Sequence, residues 1–340
     1  MKTMKTMKKF LTVMSAAAVA AAMLTGCQSS GTQTADTGSA EKVYKIGVLQ
    51  YADHPSLDNC RDGFVEGLKS EGFEEGKNVK IDAQSAKADD STNTQVAQKF
   101  AADKLDLVCG IATPSAQALY NSCYEKKIPV VFNAVSDPVA ANLAKSRTEA
   151  MDGISGVSDE LPVEAQLKLI REMMPDAKKL GILYTTSEAN SVSTIKTYEE
   201  KVGEFGFELV TKGVANAAEI PQAAETVAGQ VDCITNLTDN TVVNNLNVLL
   251  EKATAHNVPV FGSEEEQVGN GCVASAGIDY IELGKKAGVI AAKVLKGEDI
   301  SSIPYETMTE SKITVNPKAA QTIGLEIPQS ITDRAEVKEG

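Results

Sequence analysis

Thr113, Ser115, Asn190 and Ser191 stand just beyond apolar, strand-like runs, and so do three carboxylates, Asp137, Glu188 and Asp239. The first group offers hydrogen-bond donors where helices begin, so the positive end of a helix dipole adds to each of them. The second group offers anionic acceptors. Together they match the needs of a zwitterionic amino acid: donors and helix-end potential for its carboxylate, acids or carbonyls for its ammonium. Any single Ser or Thr among them is better explained as a helix cap than as a ligand contact. Thr113-Pro114 reads as a cap followed by proline at the first helical position, and Asn190-Ser191 and Thr238-Asp239 also precede apolar-periodic stretches. The argument rests on the set.

Other chemistries lack their residues. The chain has no phosphate loop of the Gly-x-x-x-x-Gly-Lys-Ser/Thr type, no Gly-x-Ser-x-Gly elbow and no His-Glu-x-x-His helix, so no catalytic residue is nominated and an enzyme is not expected. Gly269 to Ala274 matches a dinucleotide pattern on paper, but it precedes a strand instead of joining strand to helix. His54 follows the first strand without a Ser or Cys nucleophile to serve, and reads as a surface or ligand-side histidine. With His54 and His256 the only histidines, a His-rich zinc site is excluded, and no metal or cofactor is expected. The absence of tryptophan rules out an indole-stacked sugar site.

The elements that would carry these residues alternate strand and helix, the pattern of a parallel sheet covered on both faces. A strand over 45–49 leads into a helix with Leu57, Cys60, Phe64 and Leu68 on one face; strands over 79–83, 105–111 and 130–133 follow, with helices between them. The order then recurs. Gly47 and Gly181, Asp106 and Asp232, and Pro129 and Pro259 are 134, 126 and 130 positions apart, a near-constant offset that means two copies of one α/β unit. The fold class is therefore α/β, with two similar doubly wound lobes joined by a multi-strand hinge. In such sheets ligands bind beyond the carboxyl ends of the strands, which selects the loops 50–57, 112–115 and 133–138 in one copy and 185–191, 237–240 and 262–267 in the other. Within the last, the acidic run 263–267 reads as a solvated loop. Residues 153–158, rich in Gly and Ser, read as the first crossing between lobes. A later helix bearing Gly284, Ala287, Gly288 and Ala291 packs closely and returns to the first lobe after a second crossing near Gly277. The boundaries that follow are 43–154 plus about 279–300 for one lobe and 155–278 for the other, with the lobe of 301–340 left open.

At 340 residues, with 43% hydrophobic content and a net charge of −13, the chain has enough apolar material for two cores and none of the basic patches that nucleic acid or anionic lipid would attract. Lys2, Lys5, Lys8 and Lys9 precede an apolar stretch that is short for a membrane span, the pattern of a cleaved secretory leader over 1–26. Leu24-Thr25-Gly26-Cys27 resembles the bacterial lipobox, which implies lipidation of Cys27, and the polar residues to 42 read as a flexible tether to the cell membrane. The remaining Cys60, Cys109, Cys123, Cys233 and Cys272 are odd in number, and the apolar runs around three of them favour buried thiols over disulfides.

Taken together, Thr113-Pro114-Ser115-Ala116-Gln117, the stretch from Pro129 through Asp137-Pro138, Gly153 to Val157, Tyr184 with Ser187-Glu188-Ala189-Asn190-Ser191, Thr238-Asp239-Asn240-Thr241 and Gly277-Ile278-Asp279-Tyr280 resemble ABC transporter substrate-binding lipoproteins of the tryptophan- and phenylalanine-binding type. The resemblance covers nearly all of 44–328. It implies a type I periplasmic-binding fold that closes on an amino acid and delivers it to membrane permease subunits, and it adds Asn240 to the pocket residues. Tyr51, Phe132 and Tyr184 are the aromatics best placed by sequence to hold an apolar side chain, with a plain core position the alternative for Phe132. The acidic run at 263–267 departs from the family's small polar residues and bears on the ligand's identity. A nucleoside or sugar ligand, or a ligand-sensing receptor subunit, are the alternative readings.

Overall fold

A computed structural model describes residues 42–308 and 310–338, so the leader, Cys27 and nearly all of the tether lie outside the described residues. The strands come in chain order as β1 (Tyr44–Gln50), β2 (Val79–Ser85), β3 (Leu107–Ile111), β4 (Val130–Asn133), β5 (Ile154–Ser158), β6 (Lys179–Thr185), β7 (Glu208–Val214), β8 (Cys233–Thr235), β9 (Val260–Phe261), β10 (Ala274–Gly277), β11 (Glu306–Thr307), β12 (Lys312–Val315) and β13 (Glu336–Val337). One sheet runs β11-β5-β4-β3-β1-β2 with every pair parallel. A second runs β7-β6-β8-β9, also parallel, and a small third sheet pairs β10 antiparallel to β12 and β12 parallel to β13. Helices cover both faces of the two parallel sheets. That is why β3, β4 and β5 are buried at every position, and why β3 and β4 read as apolar runs.

The duplication is visible in the work its landmarks do. Asp106 accepts a hydrogen bond from the Lys45 amide at 2.8 Å, and Asp232 accepts from the amides of Lys178 and Lys179 at 2.7 and 2.8 Å, so the same carboxylate ties down the same strand start in each lobe. The carbonyl of Pro129 accepts from Val108 at 3.0 Å, and that of Pro259 accepts from Ile234 at 2.9 Å. Gly47 and Gly181 both face packed side chains: an added Cβ would stand 2.7 Å from Leu105 and Phe100 in one lobe and 2.6 Å from Val227 in the other. Three offsets in sequence are three repeated contacts in space.

Two boundaries differ from the expected ones. The Gly/Ser-rich stretch is strand β5, buried throughout and paired with β4, so the first lobe extends to Ser158 and the chain crosses after it. Gly156 is needed there, because a Cβ would meet the Phe132 carbonyl oxygen at 2.0 Å. The C-terminal segment belongs to both lobes: β11 pairs with β5 in the first, then β12 joins β10 in the second. The chain thus crosses three times, after β5, after β10 and after β11.

The helix Tyr280–Leu295 does return to the first lobe, where it shares a core with β1, β3, β4 and the helix Pro55–Ser70. Glycines meet glycines along that helix pair. A Cβ on Gly63, Gly67, Gly284 or Gly288 would stand 2.2, 2.2, 2.4 or 2.3 Å from a backbone oxygen of the opposing helix. All five described cysteines are free and buried, as their apolar settings implied, and burial pushes the Cys60, Cys109 and Cys272 thiols far up, which keeps them inert.

Candidate functional site

The carboxyl ends of both parallel sheets face one small cavity, of about 20 Å³, between the lobes. The first lobe contributes His54, Ser56, Leu57, Ala112, Thr113, Ala134, Ser136 and Tyr280; the second contributes Asn190, Thr238, Asn240, Val243, Glu264 and Gln267; Asp159 lies just past the first crossing. Apart from Asp159, Val243 and Tyr280, every lining residue falls in one of the six loops chosen from the sequence. The walls are strained where strands end: Ala112 and Ala134, at the exits of β3 and β4, hold φ of 75° and 58°, a conformation that costs an L-residue roughly 1–2 kcal/mol. That turn brings the N-terminus of helix Thr113–Cys123 to the cavity edge.

Of the eight nominated residues, Thr113, Asn190 and Asn240 line the cavity. The others do structural work beside it. Ser115 donates to Asn93 Oδ1 at 2.8 Å and fixes the neighbouring helix. Asp239 is saturated: it accepts from Thr185 N and Oγ1 at 2.5 and 2.8 Å, from Ser191 Oγ at 2.7 Å and, as the cap of helix Asn240–Asn244, from Val242 N at 2.9 Å. Ser191 is spent on that bond. Glu188 accepts from the amide and side chain of both Asn240 and Thr241 at 2.7–3.0 Å, and burial together with the Asp239 charge pushes its pKa up to about 7. Asp137 lines an adjoining cleft with Arg147 and Tyr305, caps Ala140 at 2.9 Å and accepts from Ser193 Oγ of the opposite lobe.

The aromatic expectations are corrected too. Tyr51 donates its hydroxyl to Asp90 at 2.8 Å, Phe132 is core packed against Tyr305, and Tyr184 packs beside the second core; none of the three lines the cavity. The ring that does is Tyr280, whose hydroxyl donates to Asp159 Oδ2 at 2.8 Å, while Ser136 Oγ donates to Asp159 Oδ1 at 2.9 Å. With its proton committed, Ser136 accepts from Thr238 Oγ1 at 3.2 Å, across the cleft. Burial raises the Asp159 pKa.

Nor is the acidic run solvated. Ser263, Glu264, Glu266 and Gln267 are buried, Glu264 to 1% exposure, because the run forms the turn that carries helix Glu265–Gly269 into the cleft. Glu266 accepts from Asn59 Nδ2 of the first lobe. Burial, and then the adjacent Glu266 carboxyl, push the Glu264 pKa well above the usual carboxylate range.

Four lining side chains carry buried polar atoms with no partner among the described residues: both ring nitrogens of His54, Thr113 Oγ1, Asn190 Oδ1 and Glu264 Oε1. Leaving such an atom unmatched costs about 1–3 kcal/mol, so the set describes the complement of a polar ligand. Burial lowers the His54 pKa to about 4, so its ring is neutral and offers one donor and one acceptor. Among the described residues no group of His, Cys, Asp and Glu could hold a metal ion, and no helix is long and apolar enough to cross a membrane.

Two parallel-sheet lobes, three crossings and a polar cavity enclosed between them define the type I periplasmic-binding fold, built to close on a small ligand. Residues 45–338 match the family described as ABC transporter substrate binding protein, and the chain belongs to that family. It is 37% identical over 323 residues to a tyrosine-binding protein of Clostridioides difficile (strain R20291), covering 94% of this chain and 93% of that one. The structure of an ABC domain from Streptococcus pneumonia in complex with L-Trp is 33% identical, covers 87% of this chain and 100% of its own, and superposes with a TM-score of 0.84. The ligand-free, open structure of a substrate-binding protein with adhesive properties from Clostridium difficile is 38% identical over 88% of this chain and 100% of its own, yet its TM-score is 0.67.

Proposed function

We propose that this protein captures an aromatic amino acid outside the cytoplasmic membrane and passes it to the permease subunits of an ABC importer, with Cys27 as the lipid anchor that keeps it beside them. The observation that carries the reading is the enclosed cavity whose unmatched polar atoms belong to His54, Thr113, Asn190 and Glu264, with the Tyr280 ring in the same wall. Donors and acceptors on opposite lobes suit a zwitterion, because closing the lobes removes the water that would otherwise weaken both contacts. The tyrosine-binding relative and the L-Trp complex support an aromatic side chain. The leader and lipobox-like segment support an extracytoplasmic, anchored location.

Thermal-shift screening of the chain from Ser39 onward against the twenty amino acids, nucleosides and common sugars tests this. L-Tyrosine, L-tryptophan or L-phenylalanine raises Tm and is recovered chemically unchanged; at a hundred times Kd the stabilisation is about 2.7 kcal/mol. A shift with nucleosides or sugars alone removes the amino-acid reading.

A further inference from the structure

Two carboxylates face the cavity, and they differ in what they have left to give. Both oxygens of Asp159 are taken, by Ser136 and by Tyr280. Glu264 uses one oxygen for two bonds: Oε2 caps helix Glu265–Gly269, accepting from the amides of Glu266 at 2.7 Å and Gln267 at 3.3 Å. Its Oε1 has no partner among the described residues. Capping does not explain that atom, since a single acceptor oxygen suffices for a cap and shorter side chains supply it more often.

We propose that Glu264 seats the ligand's ammonium group through Oε1 and so makes the pocket select primary amines over their des-amino analogues. This rests on the amino-acid reading above and adds the residue that enforces it. The groups facing Glu264 are Glu266 on its own helix, the Ser56 hydroxyl, Tyr280 and Cys60 from the first lobe, and Cys272 and Lys338 from the second. Acids predominate, and the lysine is engaged with Glu265 at 3.0 Å. In a closed cleft a lone carboxylate there is disfavoured by burial and by its acidic neighbour; a cation placed against Oε1 relieves both. A ligand without that cation leaves the carboxyl buried and unmatched, which is the strongest way for a site to reject an analogue.

Isothermal titration of the full chain with L-tyrosine and L-tryptophan, and with 3-(4-hydroxyphenyl)propionate and 3-indolepropionate as des-amino counterparts, tests the proposal. In the wild type the amino acids bind at least 100-fold more tightly. In Glu264→Gln, which keeps the capping oxygen and the shape, amino-acid affinity falls at least 50-fold while des-amino affinity is held or improved; Glu264→Asp keeps the charge and retains part of the preference. An unchanged preference in Glu264→Gln overturns the proposal and leaves the amino-acid reading standing. So does loss of the preference in Asp159→Asn with retention in Glu264→Gln. Absence of aromatic amino-acid binding in the wild type overturns both. The unliganded melting temperature of each variant reports whether the fold survives.

Discussion

Asp239 and Thr113 look alike from sequence, each a polar residue at the exit of a strand, yet the structure gives them opposite tests. Replacing Asp239 by Ala strips four donors of one acceptor, among them the Thr185 amide 54 positions away, so it costs about 3 to 5 kcal/mol of stability in urea unfolding. Replacing Thr113 by Val removes a hydroxyl with no partner among the described residues; stability is held and ligand affinity falls about tenfold by titration calorimetry. His54 adds a pH dependence. Its pKa drops from 6.5 to about 4 on burial in the closed cleft, so the favourable neutral state is fully present above pH 6.5 and is lost as pH falls through 4. The closed form is weakened by about 2 to 3 kcal/mol by pH 4.5, and opening relieves it, so ligand affinity falls with acid in the wild type and less in His54→Gln. What was legible at this scale was the loop and not the orientation. Whether a serine or carboxylate at a strand end caps a helix or faces a ligand depends on partners dozens of residues away. Asp159 and Tyr280 escaped for a different reason: they stand at the crossings between lobes, outside the six loops that the repeated unit supplies.

At the scale of elements, the small-residue pattern at Gly284 and Gly288 was readable as close packing, but its counterpart at Gly63 and Gly67 was hidden inside an ordinary amphipathic helix. The two faces fit only because neither has side chains along the seam. Gly284→Ala drives a Cβ to 2.4 Å from the Cys60 carbonyl oxygen, so it forces the helices apart and costs about 2 to 3 kcal/mol in urea unfolding, spread through the core the pair shares with the first sheet. Gly203→Ala, where nothing stands within 4 Å, is neutral or slightly stabilising and serves as the control. The repeat was legible because its landmarks are physical necessities: a carboxylate to hold a strand start and a glycine where side chains crowd the sheet. The short strands β11 and β13, of 2 residues each, were not, since two residues establish no period, and the lobe of the C-terminal segment stayed open with them.

For the whole molecule the question is what holds the lobes shut. Among the described residues three hydrogen-bonded pairs span the cleft: Asn59 with Glu266, Ser136 with Thr238, and Ser193 with Asp137. The neutral Ser136–Thr238 bond is worth about 0.5–1.5 kcal/mol net and each of the two to a carboxylate about 1.5–3 kcal/mol, a small closing force to which a ligand that touches both lobes adds. Closure is then a population shift, and the ligand contributes only its preference for the shut form. Asn59→Ala combined with Ser193→Ala removes two of the three pairs outside the cavity lining, so it weakens ligand binding about tenfold, mainly through faster release, while each lobe keeps its stability. Small-angle scattering reports the same equilibrium directly: ligand lowers the radius of gyration of the wild type, and the double variant needs a correspondingly higher ligand concentration for the same contraction. A radius indifferent to saturating ligand in the wild type would refute closure as the capture step, because the atoms left unmatched on opposite lobes would then have to be satisfied without bringing those lobes together.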